Sequence, residues 1–236
     1  MNDPRPTAIV AGLGPGLGAA LCRQFVQAGY QVAGLARDPE SSRHLVDELG
    51  PDRFVNLRCD VTDSAAVDAA VTWVEQHWQA PTVYVHNAAP FHQGAFLDTE
   101  PGRFDALWRT MCIGAVHGAQ RVLPAMLQAK AGTLLFIGAT ASVKAGGGFS
   151  AFGSAKFAVR GLAQALAREL GPQGIHVAHL IIDGVIWGER AREAFNLEQA
   201  ECLDPDAIAR TCLHLIEQDR AAWTHELDIR PDVEGF

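Results

Sequence analysis

Thr7-Ala8-Ile9-Val10-Ala11-Gly12-Leu13-Gly14-Pro15-Gly16-Leu17-Gly18-Ala19-Ala20 is the stretch that decides how this chain folds. A short apolar run rich in strand formers enters a glycine turn, and a helical pattern over Leu17–Ala28 leaves it. Gly12, Gly16 and Gly18 stand in a GxxxGxG pattern, with Gly14 between them. Glycine is required there for three reasons: the turn is tight, a pyrophosphate must approach the backbone, and the helix must pack close to the strand. The N–H groups and dipole at the start of that helix then hold phosphate charge. A strand before the turn and a helix after it make this a dinucleotide-binding turn rather than a bare glycine cluster.

Outward from the turn, short β-rich runs alternate with longer helical ones. The strands are expected at Thr7–Ala11, Gln31–Ala36, Arg53–Cys59, Thr82–His86, Gly132–Gly138, Ile175–Ile182 and Glu226–Ile229. The helices between them are expected at Ser42–Leu49, Ala65–Trp78, Arg103–Gln128, Ala151–Leu170 and Asp206–Glu217. Such alternation builds βαβ units with right-handed crossovers. The reading is α/β, a single-domain Rossmann-type, doubly wound parallel sheet of about seven strands with helices on both faces. One domain accounts for residues 1–236. The least regular piece, Gly184–Asp204, lies between the sixth strand and the last helix.

Composition excludes other classes. Of 236 residues 48% are hydrophobic and 19% charged, which fits a globular chain and not a disordered one. A net charge of −8 argues against nucleic acid or an anionic membrane surface as partner. No apolar run is long enough to span a bilayer. The polar start Met1-Asn2-Asp3-Pro4-Arg5-Pro6 is too short for a signal peptide, so the expectation is a cytoplasmic protein. Cys22, Cys59, Cys112, Cys202 and Cys212 are scattered and form no CxxC pair, so neither a disulfide framework nor a zinc site is indicated. His176 and His179, three apart on a strand, point to opposite faces and are not a metal pair. Trp73 and Trp78 are expected to pack on the sheet.

The second strand ends in Ala36-Arg37-Asp38. An acid at the tip of that strand binds the ribose 2′-hydroxyl of NAD, whereas an arginine binds the 2′-phosphate of NADP. Ala36 stands where the acid is usual and Arg37 follows, which favours NADP(H) over NAD(H); the alternative is an inward-turned Asp38 that selects NAD.

By these motifs the chain resembles the short-chain dehydrogenase/reductase family over nearly its full length. The glycine turn matches that family's TGxxxGxG with Ala11 for threonine, Cys59-Asp60-Val61-Thr62-Asp63 matches the stretch after the third strand, and His86-Asn87-Ala88-Ala89 matches NNAG. Lys156 in Ala155-Lys156-Phe157-Ala158 matches the YxxxK helix. The resemblance implies a small-molecule substrate and a homodimer or homotetramer paired through the helices Arg103–Gln128 and Ala151–Leu170. It implies cofactor contacts at Gly12, Gly14, Gly16, Leu17, Gly18 and Arg37. It puts the adenine on Asp60 and the Val61 backbone, and adds Asn87, Ala88, Gly184 and Ile186 as further cofactor contacts. Lys156 would bind the nicotinamide ribose, and residues 184–204 would be the substrate lid, with Trp187 and Phe195 lining the pocket.

The departures fall on the chemistry. The family's tyrosine, four residues before the lysine, is Phe152; its serine, thirteen before that, is Ala139; its asparagine falls on Met111, and its PG after the sixth strand is Asp183-Gly184. In the family the tyrosine protonates the substrate carbonyl, the lysine lowers the tyrosine pKa, and the serine steadies the carbonyl oxygen. Phe152 has no proton to give, and losing such a group typically costs ~10²–10⁴ in rate. His92, Thr140 and Ser142 are the candidate stand-ins, beside the bland roles of solvated loop, cap and turn. Three functions stay open: an NADP(H)-dependent oxidoreductase of atypical mechanism acting on a small apolar substrate, with Phe152, Met111, Ala139, Phe91 and Trp187 around it; a catalytically silent NADP-binding sensor or assembly protein; and a non-redox enzyme on the same scaffold.

Overall fold

Strand β1 (Thr7–Ala11) is buried along its whole length, as a central parallel strand covered on both faces must be. It pairs in parallel with β2 (Gln31–Ala36) on one side and with β4 (Val83–His86) on the other. With β3 (Phe54–Arg58), β5 (Gly132–Ile137), β6 (Ile175–Ile182) and β7 (Glu226–Ile229) they form one seven-stranded sheet in the order β3-β2-β1-β4-β5-β6-β7. Every pairing is parallel. The strand order reverses between β1 and β4, so a crevice opens there at the carboxyl ends of the strands. This is a computed structural model, and it describes residues 5–234. The first four residues of the polar start lie outside the described residues, as do 235–236.

Two apolar layers hold the helices. On one face α1 (Leu17–Gln27) and α8 (Pro205–Ile216) pack with α2 (His44–Leu49), burying Leu21, Phe25 and Cys212 against Val10 and Leu135. On the other face lie α3 (Ser64–His77), α4 (Pro101–Trp108), α5 (Gly114–Ala129) and α6 (Ser150–Leu170), over Ile9, Tyr84 and Phe136. Trp73 and Trp78 pack against this second layer and edge-on to each other. Local signals place the helix starts: Asp63 caps α3 by accepting from the Ala65 N–H, and Asp204 caps α8 ahead of Pro205. Among the described residues no helix is long and apolar enough to cross a membrane.

Three sequence expectations change. The long helix Arg103–Gln128 is interrupted: Arg109–Ile113 forms a π-turn between α4 and α5. Ser42–Leu49 begins instead as a 3₁₀ turn over Pro39–Ser42, because the Asp38 carboxylate accepts from the Glu40 N–H and starts a turn before the helix can. The irregular Gly184–Asp204 piece contains a short helix, α7 (Glu189–Ala194). All five cysteines are buried and unpaired. His176 faces the Thr224 carbonyl through Nε2, whereas His179 donates from Nδ1 to Glu226.

Candidate active site

The glycine turn is locked on both sides. The amides of Gly12 and Leu13 donate to the Leu35 carbonyl, and Asn87 donates from Nδ2 to the Gly12 carbonyl at 2.9 Å. Gly12 takes φ +97°, and a Cβ there would lie 2.5 Å from the Ala88 nitrogen, so no other residue fits. A Cβ on Gly18 would lie 2.7 Å from the Gly12 carbonyl, which is the close helix–strand approach expected of this turn. At Gly14 and Gly16 the opposite holds: a Cβ would meet nothing within 4 Å, so the turn faces open space. No side chain caps α1 at Gly16, which leaves its positive end to a ligand. Concave room, free helix amides and glycine-lined backbone together fit the pyrophosphate of a dinucleotide.

The turn opens into a cleft of about 1740 Å³ at the carboxyl edge of the sheet. Gly12, Gly14, Gly16, Leu17, Gly18, Arg37, Asp60 and Val61 line one end of it, and Asn87, Ala88, Lys156, Gly184 and Ile186 line the rest. Arg37 is exposed at the tip of β2, while Asp38 is spent on the cap just described. Asp60 closes its own turn, accepting from the Thr62 amide and hydroxyl. Ile186 bridges to Leu203, and Gly184, at φ +141°, is crowded by Leu203, Pro231 and Glu234, so the segment after β6 and the C-terminal segment meet beside the cleft.

At the floor, α6 brings Phe152 and Lys156 one turn apart, both buried. Lys156 Nζ donates to the Ile137 carbonyl at 2.8 Å and stands 5.7 Å from the centre of the Phe152 ring. Burial holds its pKa down at about 8. One acceptor serves an ammonium with three N–H groups, so two remain for a ligand. The aromatic wall is built around Phe91, whose ring lies 5.6 Å from Phe152, 6.0 Å from Phe149 and 5.7 Å from Phe195. Arg190 sits 5.2 Å over the same ring. Trp187 and Ala139 line the cleft as well.

Met111 is different. It is 1% exposed and belongs to the core beneath the sheet, because the π-turn rotates it inward and leaves Arg109 and Thr110 on the cleft. That turn is held by a buried chain: the Tyr84 hydroxyl donates to His86 Nδ1, and His86 Nε2 donates to the Thr110 carbonyl at 3.2 Å. Burial pushes the His86 pKa down to about 3, which keeps the ring neutral and able to play both parts. The stand-ins separate in the same way. The Ser142 hydroxyl is fully buried and accepts from the Ala139 amide, fixing the turn after β5. The His92 ring faces Thr99, away from the residues that line the cleft. Only Thr140 of the three reaches the cleft, and its hydroxyl donates to Asp183 at 2.5 Å. Phe149, Arg190 and the partnership of Asp183 were missed at the sequence level, although Asp183-Gly184 was visible there as a departure from PG.

Comparison with known proteins agrees with this geometry. A family model described as short chain dehydrogenase matches residues 6–192. An uncharacterized oxidoreductase of Staphylococcus aureus (strain USA300) is 24% identical over 227 residues, covering 95% of this chain and 96% of the relative. A crystal structure of a short-chain dehydrogenase from Rhodopseudomonas palustris is 32% identical with a TM-score of 0.83, covering 97% of this chain and all of that one. A metagenomic short-chain oxidoreductase in complex with NADP is 26% identical with a TM-score of 0.83, covering 98% and 99% of the two chains. The seven-stranded sheet, the glycine turn at its switch point, the lysine on α6 and a family match over four-fifths of the length place this chain in the short-chain dehydrogenase family.

Proposed function

We propose that the protein is an NADP(H)-dependent oxidoreductase whose reaction needs no proton donor at a carbonyl oxygen. One observation carries this reading: Lys156 lies buried in the same cleft as an intact glycine turn, one helical turn from a phenyl ring that has no hydroxyl. A buried cation costs stability unless a ligand answers it, so Lys156 supports a bound nucleotide. Arg37 at the open end of the cleft, with Asp38 turned to its cap, supports NADP over NAD. The NADP held by the metagenomic relative agrees.

The nicotinamide, when bound, supplies a hydride. What the chain supplies is an aromatic wall, formed by Phe91, Phe149, Phe152, Phe195 and Trp187, against which a flat apolar substrate packs. A ketone that accepts hydride becomes an alkoxide and needs a proton at once, and Phe152 and Ala139 have none to give. An iminium carbon that accepts hydride becomes a neutral amine and needs none. A conjugated alkene takes its proton later, at carbon, from water. The reading therefore favours imines in their protonated, iminium form and enones over ketones. Titration with NADPH and NADH, followed by NADPH oxidation with imines, enones, quinones and ketones, tests it. Tight NADPH binding with turnover of imines or enones is the expected result. Absence of nucleotide binding, or ketone reduction as fast as imine reduction, contradicts it.

A further inference from the structure

Asp183 follows β6 at the position where the resemblance led to a proline, and it is 3% exposed. Its amide donates to the Ile229 carbonyl, so β7 fixes its backbone. Its Oδ1 takes the Thr140 hydroxyl at 2.5 Å. Its Oδ2 faces Arg230 Nη2 at 3.0 Å and, more loosely, Lys144 Nζ at 3.9 Å; Arg230 is shared with Asp228. Thr140 owns one O–H. With cations on the far oxygen, Asp183 is an ionised acceptor, and the shared hydrogen belongs to Thr140. What Thr140 turns toward the cleft is therefore a lone pair, made more basic by the charge-assisted bond behind it.

We propose that Thr140, its proton committed to Asp183, is the cleft's acceptor for an N–H-bearing substrate group, so that the site takes an aromatic amine or its iminium rather than a ketone. The inference rests on the reading of an oxidoreductase that needs no proton donor, and names the substrate class for that site. A ketone brings only acceptor oxygen and finds no partner in Thr140, Phe152 or Ala139. Of the side-chain donors on the same walls, Lys144 turns toward Asp183, Arg190 lies over the Phe91 ring and Arg109 pairs with Asp105, while Lys156 is the one that a bound nucleotide takes in the proposed reading. An ammonium or iminium brings the missing donor, and the phenyl faces of the cleft favour its charge. Because Arg230 and Lys144 offset Asp183, the selectivity comes from hydrogen-bond polarity and not from net charge.

The test is binding of 1-phenylethylamine and of acetophenone, which share one skeleton, to the full chain with and without saturating NADP⁺, by calorimetry. The amine is expected to bind about tenfold or more tightly than the ketone, as a hydrogen bond to a charged group allows. Thr140→Val should bring that ratio toward one, and Thr140→Ser should keep it; thermal melting confirms that both variants are folded. A ketone that binds as tightly as the amine, or a ratio that survives Thr140→Val, overturns the inference, and so does absence of amine binding in protein that binds NADP⁺ normally. Failure to bind NADP⁺ strikes the proposed function instead, and the ratio measured in nucleotide-free protein still decides this one.

Discussion

Replacing Lys156 by methionine should make the nucleotide-free protein more stable at pH 7, not less. The ammonium is 4% exposed and accompanied by one carbonyl and one phenyl ring. Burial lowers its pKa from the ordinary lysine value of 10.5 to about 8, which corresponds to a penalty of about 3 kcal/mol on the charged native form. Methionine removes the charge at similar length and gives up the bond to the Ile137 carbonyl, a loss of about 1 kcal/mol. The net gain is about 2 kcal/mol, or roughly 5 °C in Tm for a chain of this size. The sign fixes the pH window. Between pH 8 and 10.5 the native state binds fewer protons than the unfolded one, so the wild type recovers stability as pH rises through that range and the advantage of the variant fades by pH 10. Burial raises the pKa values of Cys22, Cys59 and Cys212, which pulls stability the other way at high pH. These thiols are common to both proteins and cancel in the difference. Urea unfolding of wild type and Lys156→Met at pH 7 and pH 10 reads it directly. A variant less stable than wild type by the same amount at both pH values would refute the reasoning, since Lys156 would then be a structural residue and not a cation held for a ligand.

Other outcomes follow from the same geometry. Arg37→Ala should weaken NADPH by about tenfold and leave NADH nearly unchanged in nucleotide titrations, since a charge-assisted phosphate contact is lost. Phe152→Tyr should fit with little change in Tm and raise acetophenone reduction only weakly; Phe152→Tyr with Ala139→Ser should exceed the sum of the single changes, as both groups act on one transition state, and adding Lys156→Met should erase the gain in steady-state assays. Phe96, Leu97, Trp108 and Phe157 are exposed apolar side chains, the first two at 68% and 92%; we propose that a second copy covers them, and light scattering at micromolar concentration should show a dimer or tetramer that Trp108→Glu weakens.

The sheet was legible because its signals are local. Apolar runs without alternation mark strands buried on both faces, and the glycine turn announces the first crossover and one end of the cleft. Lys156, Asn87 and Asp60 were legible because each sits in a short motif with a fixed neighbour. What the sequence did not show depends on contacts between distant segments. Nothing in Arg109-Thr110-Met111-Cys112-Ile113 signals a π-turn; it is imposed by His86, on another element, whose ring takes the Thr110 carbonyl. That shift put Met111 in the core rather than in the pocket. Asp183 looked like a mere departure from a glycine-preceding proline until Thr140 and Lys144, from the turn after β5, and Arg230, from beyond β7, were seen to converge on it. Phe149 joined the aromatic wall because Phe91 arrives from the loop after β4, which periodicity does not position.

The most direct measurement follows a labelled hydride. NADPH carrying deuterium at its transferable position is mixed with the protein and the N-methyl iminium of acetophenone, and the amine is analysed by mass spectrometry, beside a parallel reaction with acetophenone itself. The expected result is one deuterium on the carbon that bears the amine nitrogen, little or no labelled alcohol, and no deuterium at that same carbon when unlabelled NADPH is used in deuterium oxide. Labelled alcohol formed as readily as labelled amine, or unlabelled products from both substrates while NADPH stays bound, would contradict hydride transfer without a proton donor in this cleft.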